Sequence, residues 1–315
     1  MRALVYNKQL HLETDFPLPQ PQGDEALLRI RKGGICNTDL ELIDGMYDFS
    51  GVLGHEFVAE VLQGPAHWVG KRVVGEINIG CGQCDFCMAG IPSQCRHRQA
   101  IGIHNHAGAF ADQLTLPVRN LHHVPDTVSD DQAVFVEPLA AVTQILEAVH
   151  ISPADRVVVL GLGKLGMLAV QVLKLTGADV VGVVRHEKQV EMLRRWGIPA
   201  VHKEDLEPER AHIVVDCTGQ ASGITDALEL VRSRGIIVLK STYHGTPQVD
   251  MTQITVREIR IVGSRCGSFP TALRLLEGGL VDITSLIDAC FDFDQALDAM
   301  RYARTPGTLK VLLDF

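Results

Sequence analysis

The chain has 315 residues, 46% of them apolar, enough for two domains with their own cores. Its formal net charge of −9 excludes nucleic acid as a natural partner, because phosphates call for a basic face. No apolar run is long enough to span a membrane, and the opening "MRALVYNKQLHLE" lacks the apolar segment of a signal peptide, so a cytoplasmic protein without membrane association is expected.

Residues 1–138 are rich in Gly, Cys and His and carry short alternating runs such as "EALLRIRKGGI". They read as an antiparallel β domain with long loops. Within it, "GGICNTDLELIDG" supplies Cys36, Thr38, Asp39 and Glu41. "GVLGHEFVAEV" sets His55 beside Glu56, just after a glycine. Neighbours in a strand point to opposite faces, so one of the two is expected to be buried or bound. "FVEPLAAV" adds Glu137. A thiolate, an imidazole and a carboxylate suit zinc, and three protein ligands leave a position open for water or substrate. Each residue alone has an ordinary reading: Cys36 as a small buried hydrophobe, His55 as a core histidine, Glu137 as an acid opening a helix. Their joint presence carries the argument.

Four of the eight cysteines crowd into "CGQCDFCMAGIPSQC", with the spacing C-x2-C-x2-C-x7-C. Cys81, Cys84, Cys87 and Cys95 can close tetrahedrally around a structural zinc ion. Disulfides fit poorly in a reducing compartment, whereas an iron–sulfur cluster is a rival with overlapping spacings. Further on, "GIHNHAG" offers His104 and His106 as a metal pair or, more simply, a polar loop. His122 and His123 read as surface residues, and Cys217, Cys266 and Cys290 as structural.

Residues 139–264 form the second expected domain. Apolar strands alternate with helical patterns: "RVVVLGLG", "KLGMLAVQVLKLTGA", "DVVGVV", "EKQVEMLRRWG", "AHIVVDCTG", "ITDALELVRSRG", "GIIVLKS". Repeated βαβ units imply a doubly wound parallel sheet. Gly161, Gly163 and Gly166 stand in G-x-G-x-x-G spacing between a strand and a helix, with Lys164 and Leu165 inside the motif. The first glycine allows a tight turn, the second lets backbone approach a pyrophosphate, and the third lets the helix pack on the strand. The acid expected to hold the ribose hydroxyls after "DVVGVV" is missing. Val184 stands there, followed by Arg185, which favours a 2′-phosphate and hence NADP over NAD. Residues 265–315 return to the first domain with two helices, in "FPTALRLLEGG" and "DFDQALDAMRYAR", and a last strand, "LKVLLDF".

In their order, Cys-x-Thr-Asp, Gly-His-Glu, the four-cysteine loop, "GAFADQLTLP", Glu-Pro-Leu, the glycine motif and "VVDCTG" resemble the zinc-dependent medium-chain dehydrogenases over nearly the whole chain. "EPL" and "CNTDLE" are more similar to the sorbitol and sugar dehydrogenases than to the alcohol dehydrogenases with cysteine at position 137. The resemblance implies a GroES-like β domain joined to a Rossmann domain. It implies two zinc ions per chain, and oxidation of an alcohol, polyol or sugar with NADP or NAD. Cys36, His55 and Glu56 then match ligands of the catalytic zinc, and Glu137 a glutamate that binds this zinc or its water. Thr38 matches the hydroxyl that takes the substrate proton, and Asp39 a neighbour that steadies the site. A homodimer or homotetramer is the expected assembly. Two departures stand out: Glu41 occupies a position where relatives often carry a relay histidine, and "LQGPAHWVGKRVVGE" looks trimmed. Two rivals remain, a zinc-stabilised nucleotide-binding regulator without turnover and a carbonyl reductase of the same superfamily.

Overall fold

The computed structural model describes residues 1–242 and 246–315. The chain divides into two compact units, Met1–Glu137 with Phe269–Phe315, and Pro138–Ser268.

In the first unit the long strand Glu25–Gly34 organises the sheet. Along one edge it pairs antiparallel with Glu56–Gln63. Its other edge is shared, Gln113–Pro117 taking the first half and Lys310–Asp314 the second. The sheet continues through Arg72–Gly75 to Leu121–His123 on one side, and to Ile287–Asp292 on the other. The sequence reading omits Ile287–Asp292. It is an edge strand with no buried residue, so "IDACFD" shows no burial alternation to read.

Phe110, fully buried, anchors the core of this unit. It explains the glycine ahead of His55. Gly54 adopts φ +96°, and a Cβ there would lie 2.4 Å from the Phe110 ring. Only glycine meets both demands at once.

The second unit holds a six-stranded, all-parallel sheet. Its order across the sheet is Ala200–Val201, Asp179–Val183, Arg156–Leu160, Ala211–Asp216, Val231–Leu239, Arg260–Gly263. The strand order reverses between Arg156–Leu160 and Ala211–Asp216, and in doubly wound sheets ligands bind beyond the carboxyl ends at that point. Apolar side chains such as Val158, Leu160, Val214 and Ile237 fill the core. One expectation is corrected here. "ITDALELVRSRG" reads as a single helix, but the helix is Gly223–Leu230 and Val231 is already extended. Arg257 donates to the carbonyls of Leu228 and Val231, satisfying the end of the helix from outside it.

Among the described residues no helix is long and apolar enough to cross a membrane.

Candidate active site

Two groups of metal-capable side chains form among the described residues, Cys81–Cys84–Cys87–Cys95 and Cys36–His55–Glu56, each with ligand atoms within 4.8 Å of one another.

The four-cysteine group is built locally. Cys84 caps the short helix Asp85–Met88, and the turn Pro92–Gln94 brings Cys95 back. Backbone N–H groups of Cys81 and His97 donate to Cys95 Sγ at 3.2 and 3.3 Å. Backbone donors from Cys87 and Arg96 pull the Cys84 thiol down to about 6. Gly80 keeps the centre open, since a Cβ there would stand 2.9 Å from Cys87 Sγ. Four sulfurs within 4.8 Å of one another are the donor set that a structural zinc ion takes. All eight cysteines are free thiols.

The second group is assembled from distant segments. Cys36 precedes the helix Asn37–Ile43, which carries Thr38 and Asp39. Asp39 is fully buried. One of its oxygens accepts the backbone N–H of Cys36 at 2.8 Å. The other accepts that of Gly54 at 3.2 Å and lies 3.3 Å from His55 Nδ1. This one carboxylate therefore holds the Cys36 and His55 segments together. Burial pushes the His55 imidazole down, but Asp39 and Cys36 outweigh it and hold the ring well above its ordinary value. The Thr38 hydroxyl stands 3.8 Å from Cys36 Sγ.

His55 and Glu56 are 3% and 1% exposed, so both are buried rather than one. The strand begins only at Glu56, and alternation does not reach back to His55. Glu56 lies opposite Gly34, where a Cβ would come within 2.8 Å of Glu56 Oε2, so only glycine leaves that carboxylate its place.

The sequence reading missed Lys310. It is fully enclosed, donates to Glu56 Oε2, and lies 5.5 Å from the centroid of the Phe135 ring. Burial alone would discharge this ammonium, but Glu56, Cys36 and Glu137 together keep its pKa raised. The available signal was a lysine inside the apolar strand run "LKVLLDF", since a buried lysine is almost always paired. Glu137 sits half-buried in the first turn of the helix Val136–Ala148. It contributes to the field at Lys310 but lies outside the group of three. Glu41 is half-buried on the Asn37–Ile43 helix.

At the glycine motif, Gly161 has φ +81°, and a Cβ there would lie 2.6 Å from the backbone of Thr218. A Cβ on Gly166 would stand 2.0 Å from Gly161 O, so helix and turn touch through bare backbone. Over Gly163 there is open space. This cradle, at the first residues of the helix Lys164–Lys174, fits a pyrophosphate. Lys164 and Leu165 open that helix and are half-buried. Arg185 is exposed, just beyond the buried Val184.

The remaining candidates lie elsewhere. His104 and His106 bond to Asn105 and the Ala107 carbonyl. His122 pairs with Glu76 at 2.9 Å, and His123 is exposed. Cys217 and Cys266 are half-buried, and the exposed Cys290 donates to Asp314.

Residues 22–126 match the alcohol dehydrogenase GroES-like domain, and residues 165–278 the zinc-binding dehydrogenase domain. The chain is 28% identical to a sorbitol dehydrogenase of Halalkalibacterium halodurans over 99% of both chains. It is 29% identical to an L-threonine 3-dehydrogenase of Escherichia fergusonii over 91% of this chain and 92% of that one. A putative zinc-binding dehydrogenase from Sinorhizobium meliloti, solved bound to NADP, superposes with a TM-score of 0.91 at 27% identity, covering 100% of this chain and 99% of that one. An E. coli alcohol dehydrogenase complexed with NADH gives 0.90 at 26% identity, with the same coverage. Two family domains in this order, on a GroES-like antiparallel unit followed by a Rossmann parallel sheet, make the chain a member of the zinc-dependent medium-chain dehydrogenase superfamily and an oxidoreductase.

Proposed function

We propose that this chain interconverts an alcohol, polyol or sugar and its carbonyl with NADP or NAD, using one zinc ion in each of its two metal-capable groups. The observation that carries the reading is the convergence of Cys36, His55 and Glu56 within 4.8 Å, with the Thr38 hydroxyl beside Cys36. When bound, zinc polarises the substrate oxygen and the nicotinamide exchanges hydride with the substrate carbon. The residues themselves do the rest. Cys36 and His55 hold the metal, Glu56 serves as an exchangeable ligand restrained by Lys310, and Glu137 binds the metal or its water. Thr38 takes the hydroxyl proton of the substrate and passes it on. Cys81, Cys84, Cys87 and Cys95 hold the second ion, which has no open position.

Gly161, Gly163, Lys164, Leu165 and Gly166 cradle the pyrophosphate. Arg185 pairs with a 2′-phosphate, which favours NADP by about 1.5–3 kcal/mol, or about 10–150-fold. A homodimer or homotetramer is supported by the outer strand Arg260–Gly263, a sheet edge with no buried residue that carries the exposed Ile261. The cytoplasm is the location that fits, because the two thiolate metal sites need reduced cysteines.

The test combines metal analysis, a panel of alcohols, polyols and sugars with both cofactors, and the His55→Ala variant. Two zinc ions, turnover of at least one substrate, and a His55→Ala chain that binds dinucleotide without turnover are expected. Undiminished turnover in that variant, or none in the wild type, overturns the reading.

A further inference from the structure

The loop that follows the strand Asp179–Val183 is where a dinucleotide presents the 2′ position of its adenosine ribose. Its backbone is tied to one side chain. The N–H groups of Arg185 and His186 both donate to Gln189 Oε1, at 2.8 and 3.1 Å. The other end of the same carboxamide, Gln189 Nε2, donates to the Leu162 carbonyl at 2.8 Å. The orientation of this amide is self-consistent, because flipping it would set a donor against two donors and an acceptor against an acceptor. Leu162 lies inside the glycine turn, between Gly161 and Gly163. Gln189 thus joins the ribose end of the cradle to its pyrophosphate end.

Two consequences follow for the 2′ position. A 2′-phosphate seeks N–H donors, and the two backbone donors at this spot are already taken. A free 2′-hydroxyl seeks an acceptor, and the apolar Val184 side chain, 3% exposed, offers none. The exposed Arg185 guanidinium is a charged contact that this loop can offer a phosphate.

We propose that Gln189 limits how strongly the chain prefers NADP to NAD, by occupying two backbone donors that a 2′-phosphate would otherwise engage. The inference rests on reading that turn as a dinucleotide site.

The test measures dissociation constants of NADPH and NADH by nicotinamide fluorescence for the wild type, Gln189→Met and Gln189→Glu. Methionine frees both donors, so the NADPH preference should rise by about 10-fold or more, the worth of at least one charge-assisted contact to a freed amide. Glutamate still accepts both N–H groups, gives up the bond to the Leu162 carbonyl, and places a negative charge beside the phosphate. The preference should then fall by a similar factor. Glutamate also covers the case in which methionine weakens folding. If both affinities drop alike and the ratio stays fixed in both variants, Gln189 is a helix cap only and the inference is overturned. A wild-type chain that binds neither dinucleotide overturns the functional reading itself, an outcome distinct from a fixed ratio.

Discussion

The four-cysteine lobe and the Cys36–His55–Glu56 centre offer comparable metal chemistry and are built in opposite ways. The lobe closes within Cys81–Cys95, and its sulfurs are stabilised by nearby backbone N–H groups. Its ion pair, Arg96 with Asp85, lies in solvent with side chains 60% and 58% exposed. The centre draws on residues from four parts of the chain, and its ion pair, Lys310 with Glu56, is 3% and 1% exposed. A local site depends on backbone turns, whereas a buried one depends on charge balance across the fold.

The largest expected effect separates the two sites outright. Cys95→Ser should remove one zinc per chain and leave the centre loaded, and Cys36→Ser should do the reverse. Elemental analysis of both proteins decides it, and loss of both ions in either variant would merge the sites into one folding unit. Next, Thr38→Val tests chemistry rather than metal holding. We expect both ions to remain and turnover to fall by about 10²–10⁴-fold, the usual worth of a positioned proton transfer. Near-normal rates would remove Thr38 from the mechanism.

The paired charges sharpen the contrast. Lys310→Met leaves Glu56 buried without its partner, and denaturant unfolding at neutral pH should show a loss of about 3–5 kcal/mol. Adding Glu56→Gln should recover part of it, and strict additivity would break the account. Between the extremes stands Asp130, which accepts from Arg31 and Arg72 with a side chain 20% exposed. Burial pushes its carboxyl up, but these two partners outweigh that and hold it below the usual range. The depressed value means its stabilisation is present above the unfolded carboxyl value and is lost as pH falls through the folded one. Asp130→Asn should therefore cost about 1.5–3 kcal/mol at pH 7, with the gap closing below about pH 4. A gap independent of pH would assign the loss to packing. Smallest of all, Arg96→Ala in the lobe should leave thermal stability within error of wild type, because exposed pairs are screened.

Much of this protein is legible in its sequence because the relevant geometry is short-range. The spacing of Cys81, Cys84, Cys87 and Cys95 fixes a knuckle whatever surrounds it. Gly161 and Gly166 are demanded by a turn six residues long, and Gly163 leaves the space above it open. The alternation of apolar strands and amphipathic helices dictates a parallel sheet. Even the glycine before His55 signals a backbone that only glycine adopts. The tertiary structure alone decided how the buried centre is balanced. Lys310 meets Glu56 across 254 residues, Asp39 bridges two segments, and Gly34 faces Glu56 only through strand register. It also decided that the helix Gly223–Leu230 stops where Arg257 reaches it, and that Gln189 closes the loop after Asp179–Val183 onto the glycine turn. The reason is the same in each case. Periodicity and spacing report what a segment does to its own backbone, while a buried charge or an open carbonyl is satisfied by whichever side chain the fold delivers to it.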